Sequence, residues 1–131
     1  MTDTEKNVEI AKLLLRERGI EEPNTYHFPE LRHYGTQFGW KDRFSARELK
    51  FDRDWRWTML AVDAIERIKC KIAGLGDAEH SFIVMQGPKS CIVVNATLSS
   101  NTIVRSEADR QLATFEAIAE FAQWYNKVRE L

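Results

Sequence analysis

Apolar residues recur every three or four positions in three stretches of the chain, and each stretch predicts an amphipathic helix. The first stretch runs from Asp3 to Arg18. Thr2 and Glu5 have the spacing of a capping box at its start, and Gly19 stands where a left-handed residue commonly ends a helix. These signals predict both ends of the first helix.

The second and third predicted helices lie in the second half of the chain. The second begins at Asp52 or Asp54, either of which can cap it, and ends near Lys69. The third begins near Ser106, its candidate N-cap, and has two adjacent apolar rows, so we expect it to pack against two elements or a partner chain. The rows are Leu112, Phe115, Ile118, Ala122 and Tyr125, and Ala117, Phe121, Trp124 and Val128.

Between these two helices the pattern becomes that of β-strands. Apolar and β-branched residues dominate His80–Gln86 and Cys91–Thr97, and the turn-forming residues 87–90 separate the two runs. This arrangement predicts a β-hairpin. Thr102–Val104 is a candidate for a further short strand.

An irregular stretch, residues 20–52, separates the first two helices. Prolines and glycines interrupt it, and brief strands near Tyr26–Phe28 and Leu49–Phe51 are the regular elements that it predicts. Together the patterns predict an α+β fold, in which a small antiparallel sheet around a central β-hairpin packs against three helices. Because the chain has 131 residues, we expect residues 1–131 to form a single domain.

The charge composition favours no strongly charged class of partner. There are 19 Lys and Arg against 20 Asp and Glu, so any binding led by charge must be local. The opening Met-Thr-Asp-Thr-Glu lacks the basic and apolar run of a secretory signal. No apolar segment approaches the roughly 20 residues that span a bilayer. We therefore expect a cytoplasmic protein with no membrane partner.

Motifs for covalent catalysis and for metal binding are not recognisable in the sequence. Cys70 and Cys91 match neither a disulfide framework nor a zinc pattern, and we expect them to be buried thiols outside any disulfide. The serines show neither a nucleophile elbow nor a triad context. We accordingly assign no catalytic residue and expect no metal and no cofactor.

The three histidines offer the alternative of an enzyme. His27, His33 and His80 lack the spacing of a zinc site. One of them beside a carboxylate such as Asp77 or Glu79 could act as a general base, because the pKa of histidine lies close to working pH. A small His-dependent hydrolase or transferase is therefore kept as one alternative.

Residues 40–57 interleave aromatic and basic side chains. Arginine and lysine neutralise phosphates while aromatic faces stack on bases, so the segment suits a planar ligand that carries phosphate. Six basic residues against four acidic ones leave it a net charge of +2. Aromatic core residues beneath a solvated charged surface, or a protein interface, would give the same pattern. The candidate ligand-binding residues are Trp40, Arg43, Arg47, Arg53, Trp55 and Arg56.

Two stretches of the sequence are distinctive enough to compare with known sequence blocks. Residues 55–66 read Trp-Arg-Trp-Thr-Met-Leu-Ala-Val-Asp-Ala-Ile-Glu, and residues 113–126 read Ala-Thr-Phe-Glu-Ala-Ile-Ala-Glu-Phe-Ala-Gln-Trp-Tyr-Asn. They resemble the two signature blocks of small uncharacterised accessory proteins of phages and prophages of Bacteroidota-type bacteria. Arg56, Thr58 and Leu60 stand where that pattern commonly has Asp, Leu and Pro.

The resemblance implies a phage-type accessory protein with a helix, hairpin, helix core, and it implies no known activity. We therefore expect a non-enzymatic accessory protein that binds a host macromolecule or sequesters a small ligand, for example to counter a host defence. Nucleotide or nucleic-acid binding through residues 40–57 is the first alternative. The expected partner is a host protein or a nucleotide-like small ligand, and a homodimer with Trp124 in the contact is a further option.

Overall fold

The computed structural model describes residues 1–20, 25–35 and 39–130 of the chain. Within these ranges it contains the helices α1 (Asp3–Glu17), α2 (Trp55–Arg67) and α3 (Arg110–Glu130). No helix in these ranges is both long and apolar enough to cross a lipid bilayer. The strands are β1 (Tyr26–His27), β2 (His33–Gly35), β3 (Gly39–Lys41), β4 (Arg43–Phe44), β5 (Lys69–Cys70), β6 (His80–Gln86), β7 (Ser90–Asn95) and β8 (Ser100–Ser106).

The main sheet is antiparallel, with the strand order β5-β6-β7-β8. Helix α2 contacts β6, whereas α3 contacts both β7 and β8. Along these strands the residues that face the helices are buried, including Phe82, Val93 and Ile103. The predicted α+β fold, with a small antiparallel sheet against three helices, is therefore confirmed.

The ends of α1 form as the sequence predicts. The backbone N–H of Glu5 donates to Thr2 Oγ1 at 3.1 Å, and the backbone N–H of Thr2 donates back to the Glu5 carboxylate at 3.3 Å. Gly19 follows the helix with a φ of 84°. Because only glycine adopts such a φ without strain, α1 ends where it was expected to end.

Helix α3 begins later than predicted, because Ser106 is the last residue of β8 and pairs with Ser90 on β7. The strand predicted at Thr102–Val104 is present and longer, and its ladder extends over the expected cap. Asp109 caps the helix instead, and its carboxylate accepts a hydrogen bond from the Leu112 N–H at 2.8 Å. Sheet pairing has thus displaced the helix start by about one turn.

The two apolar rows of α3 pack against different elements. Tyr125 is buried towards α1, where its hydroxyl donates to Glu17 Oε1 at 2.6 Å. Phe121 and the half-buried Trp124 instead contact Phe82 of β6, with ring centroids 4.9 and 6.0 Å away. The double row therefore reflects two neighbours within the chain, and Trp124 belongs to its core packing.

The irregular stretch contains short antiparallel ribbons, β1 with β4 and β2 with β3. The brief strand predicted near Tyr26–Phe28 is present as β1. The strand predicted at Leu49–Phe51 is wrong: Leu49 ends a short 3-10 helix, Ala46–Glu48, and Phe51 lies in a turn. Both apolar side chains are buried by packing against helices and neighbouring rings, so no strand pairing is needed to cover them.

Candidate functional site

A buried aromatic cluster joins the ribbons to α2. Trp57 is 1% exposed, and the rings of Phe28, Phe44 and Phe51 surround it edge-on at 6.0, 4.8 and 5.2 Å. Edge-to-face contacts of this kind are favourable beyond the area that they bury. Phe44, Phe51 and Trp57 are therefore core residues. The aromatic side chains of residues 40–57 that can still contact a ligand are Trp40 and Trp55.

The two remaining tryptophans of the segment reach solvent. Trp40 on β3 is 64% exposed, and Trp55, the first residue of α2, is 39% exposed. The Arg32 guanidinium lies 5.3 Å from the centre of the Trp40 ring, and Arg56 Nη2 donates to the Leu31 carbonyl at 3.2 Å. Arg32, Trp40 and Arg56 are therefore linked at the junction of α2 with the β2–β3 ribbon, which we call the Trp40 surface, and Trp55 precedes Arg56 on α2.

Arg32 was missed by the sequence analysis, because it lies outside the segment in which aromatic and basic residues alternate. The strand register brings it to this surface: Tyr34 pairs with Trp40, and His33 pairs with Lys41. A residue just before β2 is thereby placed beside a residue of β3. Only a prediction of this ribbon would have indicated the stacking of Arg32 on Trp40.

The acidic residues of the segment are engaged within the protein. Asp52 accepts hydrogen bonds from Asn7 of α1 at 3.0 Å and from Arg53 at 2.9 Å. Asp54 caps α2 by accepting from the backbone N–H of Arg56 at 3.0 Å, which settles the choice between Asp52 and Asp54 as its cap. The Arg56 guanidinium is directed to the backbone carbonyls of Leu31 and Arg32 rather than to a carboxylate.

Glu48 is the most strongly perturbed of these carboxylates. It forms an ion pair with Lys41 and also accepts a hydrogen bond from the Ser45 N–H at 3.0 Å. The Lys41 contact, followed by the Ser45 contact, lowers the pKa of Glu48 from 4.5 to about 2. Both contacts favour the charged carboxylate, so Glu48 remains ionised at neutral pH.

The six predicted residues do not converge on one point. Trp40 and Arg56 belong to the Trp40 surface and Trp55 precedes Arg56 on α2, whereas Arg43 is on β4 opposite His27. The 3-10 helix that carries Arg47 contacts α1, and Arg53 is tied to Asp52, which itself binds α1. Arg43 and Arg47 are exposed and form no ion pair within the described ranges.

A histidine-carboxylate pair exists, but not where it was predicted. His27 Nε2 lies 3.0 Å from Asp42 Oδ2, and both side chains are more than a third exposed. His80 is buried, and its Nδ1 accepts a hydrogen bond from Asn95 Nδ2 of β7 at 3.0 Å. His80 makes no such contact with Asp77 or Glu79. In the described part of the chain, no hydroxyl or thiol is hydrogen-bonded to the His27 pair.

The two cysteines differ in their surroundings. Both are thiols outside a disulfide; Cys91 is buried and Cys70 is half-buried, so the prediction of burial holds fully for Cys91 alone. Burial raises the pKa of the Cys91 thiol, and a hydrogen bond with Thr114 offsets this only in part. Over residues 1–20, 25–35 and 39–130, no group of three or more His, Cys, Asp or Glu side chains could hold a metal ion.

Three grooves on the helical side have volumes of about 240, 320 and 310 Å³. Their walls come mainly from α1, α2 and α3, and none of the six predicted residues lines them. Trp40 itself is 64% exposed, which suits stacking of a planar group better than enclosure of a whole molecule.

Comparisons of the chain with protein-family models, with curated proteins and with solved structures find no significant match. What this chain binds therefore has to follow from the chemistry of its own surface.

Proposed function

We propose that this chain is a phage-type accessory protein that acts by binding, and that the Trp40 surface takes a planar ligand carrying phosphate. The ligand would be a nucleotide or a short single strand of nucleic acid. The observation that carries the proposal is the 64% exposure of Trp40 beside the guanidinium of Arg32. Tryptophan is highly buried on average in folded proteins, so an exposed tryptophan with a guanidinium beside its ring suits a stacking partner.

The charges around Trp40 fit such a ligand. Arg32 and Arg56 provide guanidinium groups whose paired donors match phosphate oxygens, and neither is bound to a carboxylate on the Trp40 surface. Each base stacked on an aromatic side chain contributes roughly 1–3 kcal/mol. One stack with one or two phosphate contacts would therefore give modest affinity for a nucleotide and more for a strand that continues past Arg43.

The proposal is tested by titrating the protein into a fluorescently labelled single-stranded oligonucleotide of about ten nucleotides, long enough for one binding site. Fluorescence anisotropy reports binding. Trp40→Ala should weaken the affinity roughly 10- to 100-fold, because it removes one stack. Arg56→Ala should weaken it as well. Arg67→Ala is the matched control, since Arg67 is exposed at the opposite end of α2 and should bind like the wild type.

The salt dependence of the affinity distinguishes a strand of nucleic acid from a mononucleotide as the ligand. Binding of a strand should weaken steeply as salt rises, because phosphate contacts release counterions, whereas binding of a mononucleotide should change little. A screen of melting temperature against nucleotides identifies the second form, since a ligand specific for the folded state raises the apparent stability. Absence of binding by both ligands at low salt, or unchanged affinity in Trp40→Ala, would reject the proposal and favour a protein partner.

A further inference from the structure

The face of the main sheet that points away from the helices is apolar. Side chains alternate between the two faces of a strand, so the neighbours of the buried core residues point outwards. Ile83 and Met85 on β6 are 47% and 57% exposed, and Val104 on β8 is 58% exposed. Large apolar side chains with this much exposure are isolated on most surfaces, but here they share one sheet face.

Strand register makes these residues contiguous. Ile83 pairs with Val94 and Met85 pairs with Ile92 across β6 and β7, and Ile92 pairs in turn with Val104 on β8. Directly opposed side chains in an antiparallel sheet have Cβ atoms about 4.5–5.5 Å apart. The five side chains therefore form one continuous patch across three strands, which we call the outer face.

The outer face carries no charge on β6, β7 or β8, although 30% of the residues of the chain are charged. Its remaining outward positions on these strands are Ser81, Ser90, Asn101 and Ser106. Lys69 lies on the two-residue strand β5, where it pairs with Ser81 of β6. It is a charged residue at one corner of the outer face. A surface without charge lacks the pattern that would select a charged partner, and it can meet a copy of itself without repulsion.

We propose that the outer face binds a second copy of this chain, so that two sheets pack face to face about a two-fold axis. A two-fold contact places the same patch on both partners, and a neutral apolar patch is complementary to itself. Sheets pack in this way in β-sandwiches, with their inner side chains interlocked. The inference is independent of the Trp40 surface, because it depends on different strands and different chemistry.

The size of the outer face indicates which class of interface it can form. Three strands of six or seven residues cover roughly 14 by 22 Å, given strand spacings of about 4.8 Å. With its protruding side chains the patch would bury about 450 Å² per copy, or about 900 Å² in total, which is slightly below the roughly 1,000 Å² of a stable specific interface. We therefore expect a weak, reversible dimer rather than an obligate one.

Pairing through the β8 edge of the sheet is less suitable than pairing through its face. The outermost long strand, β8, departs from regular pairing at a bulge opposite Val93 and Val94. Bulges twist an edge strand and interrupt its row of hydrogen-bonding groups, which opposes extension by another strand. The outer face has no such obstacle.

Sedimentation velocity over a concentration series from about 1 μM to about 1 mM, the range of weak association, tests the proposal. The wild type should shift from monomer to dimer. Met85→Lys and Val104→Lys should remain monomeric across the series, because each places like charges against each other in the two-fold contact. Leu75→Lys is the matched control: Leu75 is 48% exposed in the loop between β5 and β6, outside the outer face, and its substitution should leave the dimer intact.

Circular dichroism would show whether the lysine variants keep their fold. If either variant loses strand signal, Val104→Thr replaces it, since threonine keeps the β-branched shape and should still weaken the dimer several-fold. A wild type that stays monomeric at the highest concentration would overturn the proposal. Lysine variants that are folded and dimerise as strongly as the wild type would overturn it as well.

Discussion

Replacing Trp57 with alanine tests whether the buried aromatic cluster holds the β1–β4 ribbon against α2. The side chain is 1% exposed, and three phenylalanine rings surround it at 4.8–6.0 Å. Removal of a buried tryptophan costs about 3–5 kcal/mol of unfolding free energy, and each edge-to-face pair adds roughly 0.5–1.5 kcal/mol beyond its area. Because three such pairs are lost, we expect a cost near the upper end, about 5 kcal/mol.

This loss is large relative to the total stability of a domain, which is typically about 5–15 kcal/mol. Urea denaturation followed by far-ultraviolet circular dichroism measures it, since a fluorescence signal would change with the tryptophan itself. The β1–β4 ribbon should loosen first, because Phe44 of β4 and Phe28, which follows β1, pack directly on Trp57. The backbone amides of this ribbon should therefore exchange with solvent faster in Trp57→Ala, while those of α3 change less.

Trp55 provides the matched control, two positions earlier on the same helix. It is 39% exposed, so Trp55→Ala should cost less than about 1 kcal/mol. If Trp57→Ala cost no more than Trp55→Ala, the cluster would not be the structural link that its geometry implies. The pair of variants thus separates loss of a buried ring from loss of any tryptophan on α2.

Other predictions follow from charge, exposure and capping. The pKa of Glu48, about 2 in the folded state against 4.5, means that its stabilising contribution is present above pH 4.5 and is lost as the pH falls towards 2. Glu48→Gln should therefore lower stability at neutral pH by less than about 1 kcal/mol, because the pair with Lys41 is partly exposed, and the difference should shrink as the pH falls towards 2 and vanish below it. A thiol reagent should modify Cys70 before Cys91 in the native protein, as mass spectrometry of the labelled peptides would show. Asp54→Ala should lower the free energy of unfolding in urea by about 1 kcal/mol through loss of the α2 cap.

Each of these expectations would be contradicted by a specific result. A destabilisation by Glu48→Gln that was as large at pH 2 as at neutral pH would show that the lowered pKa of Glu48 is not its source. Equal labelling rates for Cys70 and Cys91 would contradict the burial of Cys91. Full stability of Asp54→Ala would mean that another group satisfies the first backbone N–H groups of α2.

The extent of successful prediction differs between the helices and the rest of the chain. The apolar periodicity correctly identified α1, α2 and the double-row face of α3, and capping residues located the start of α1. These features depend on residues three or four apart, so the local sequence specifies them. Ser106 was misassigned because its local pattern suits a helix cap, whereas pairing with Ser90 extends β8 through it.

The candidate site shows the same division. Sequence alone determined that residues 40–57 combine aromatic and basic side chains. Only the tertiary structure decided which carboxylates engage which cations, and that Arg32 stacks on Trp40. The outer face likewise required the register of three strands. Helical faces repeat within a few residues, but contacts across ribbons and sheets join distant residues, and no local pattern encodes their register.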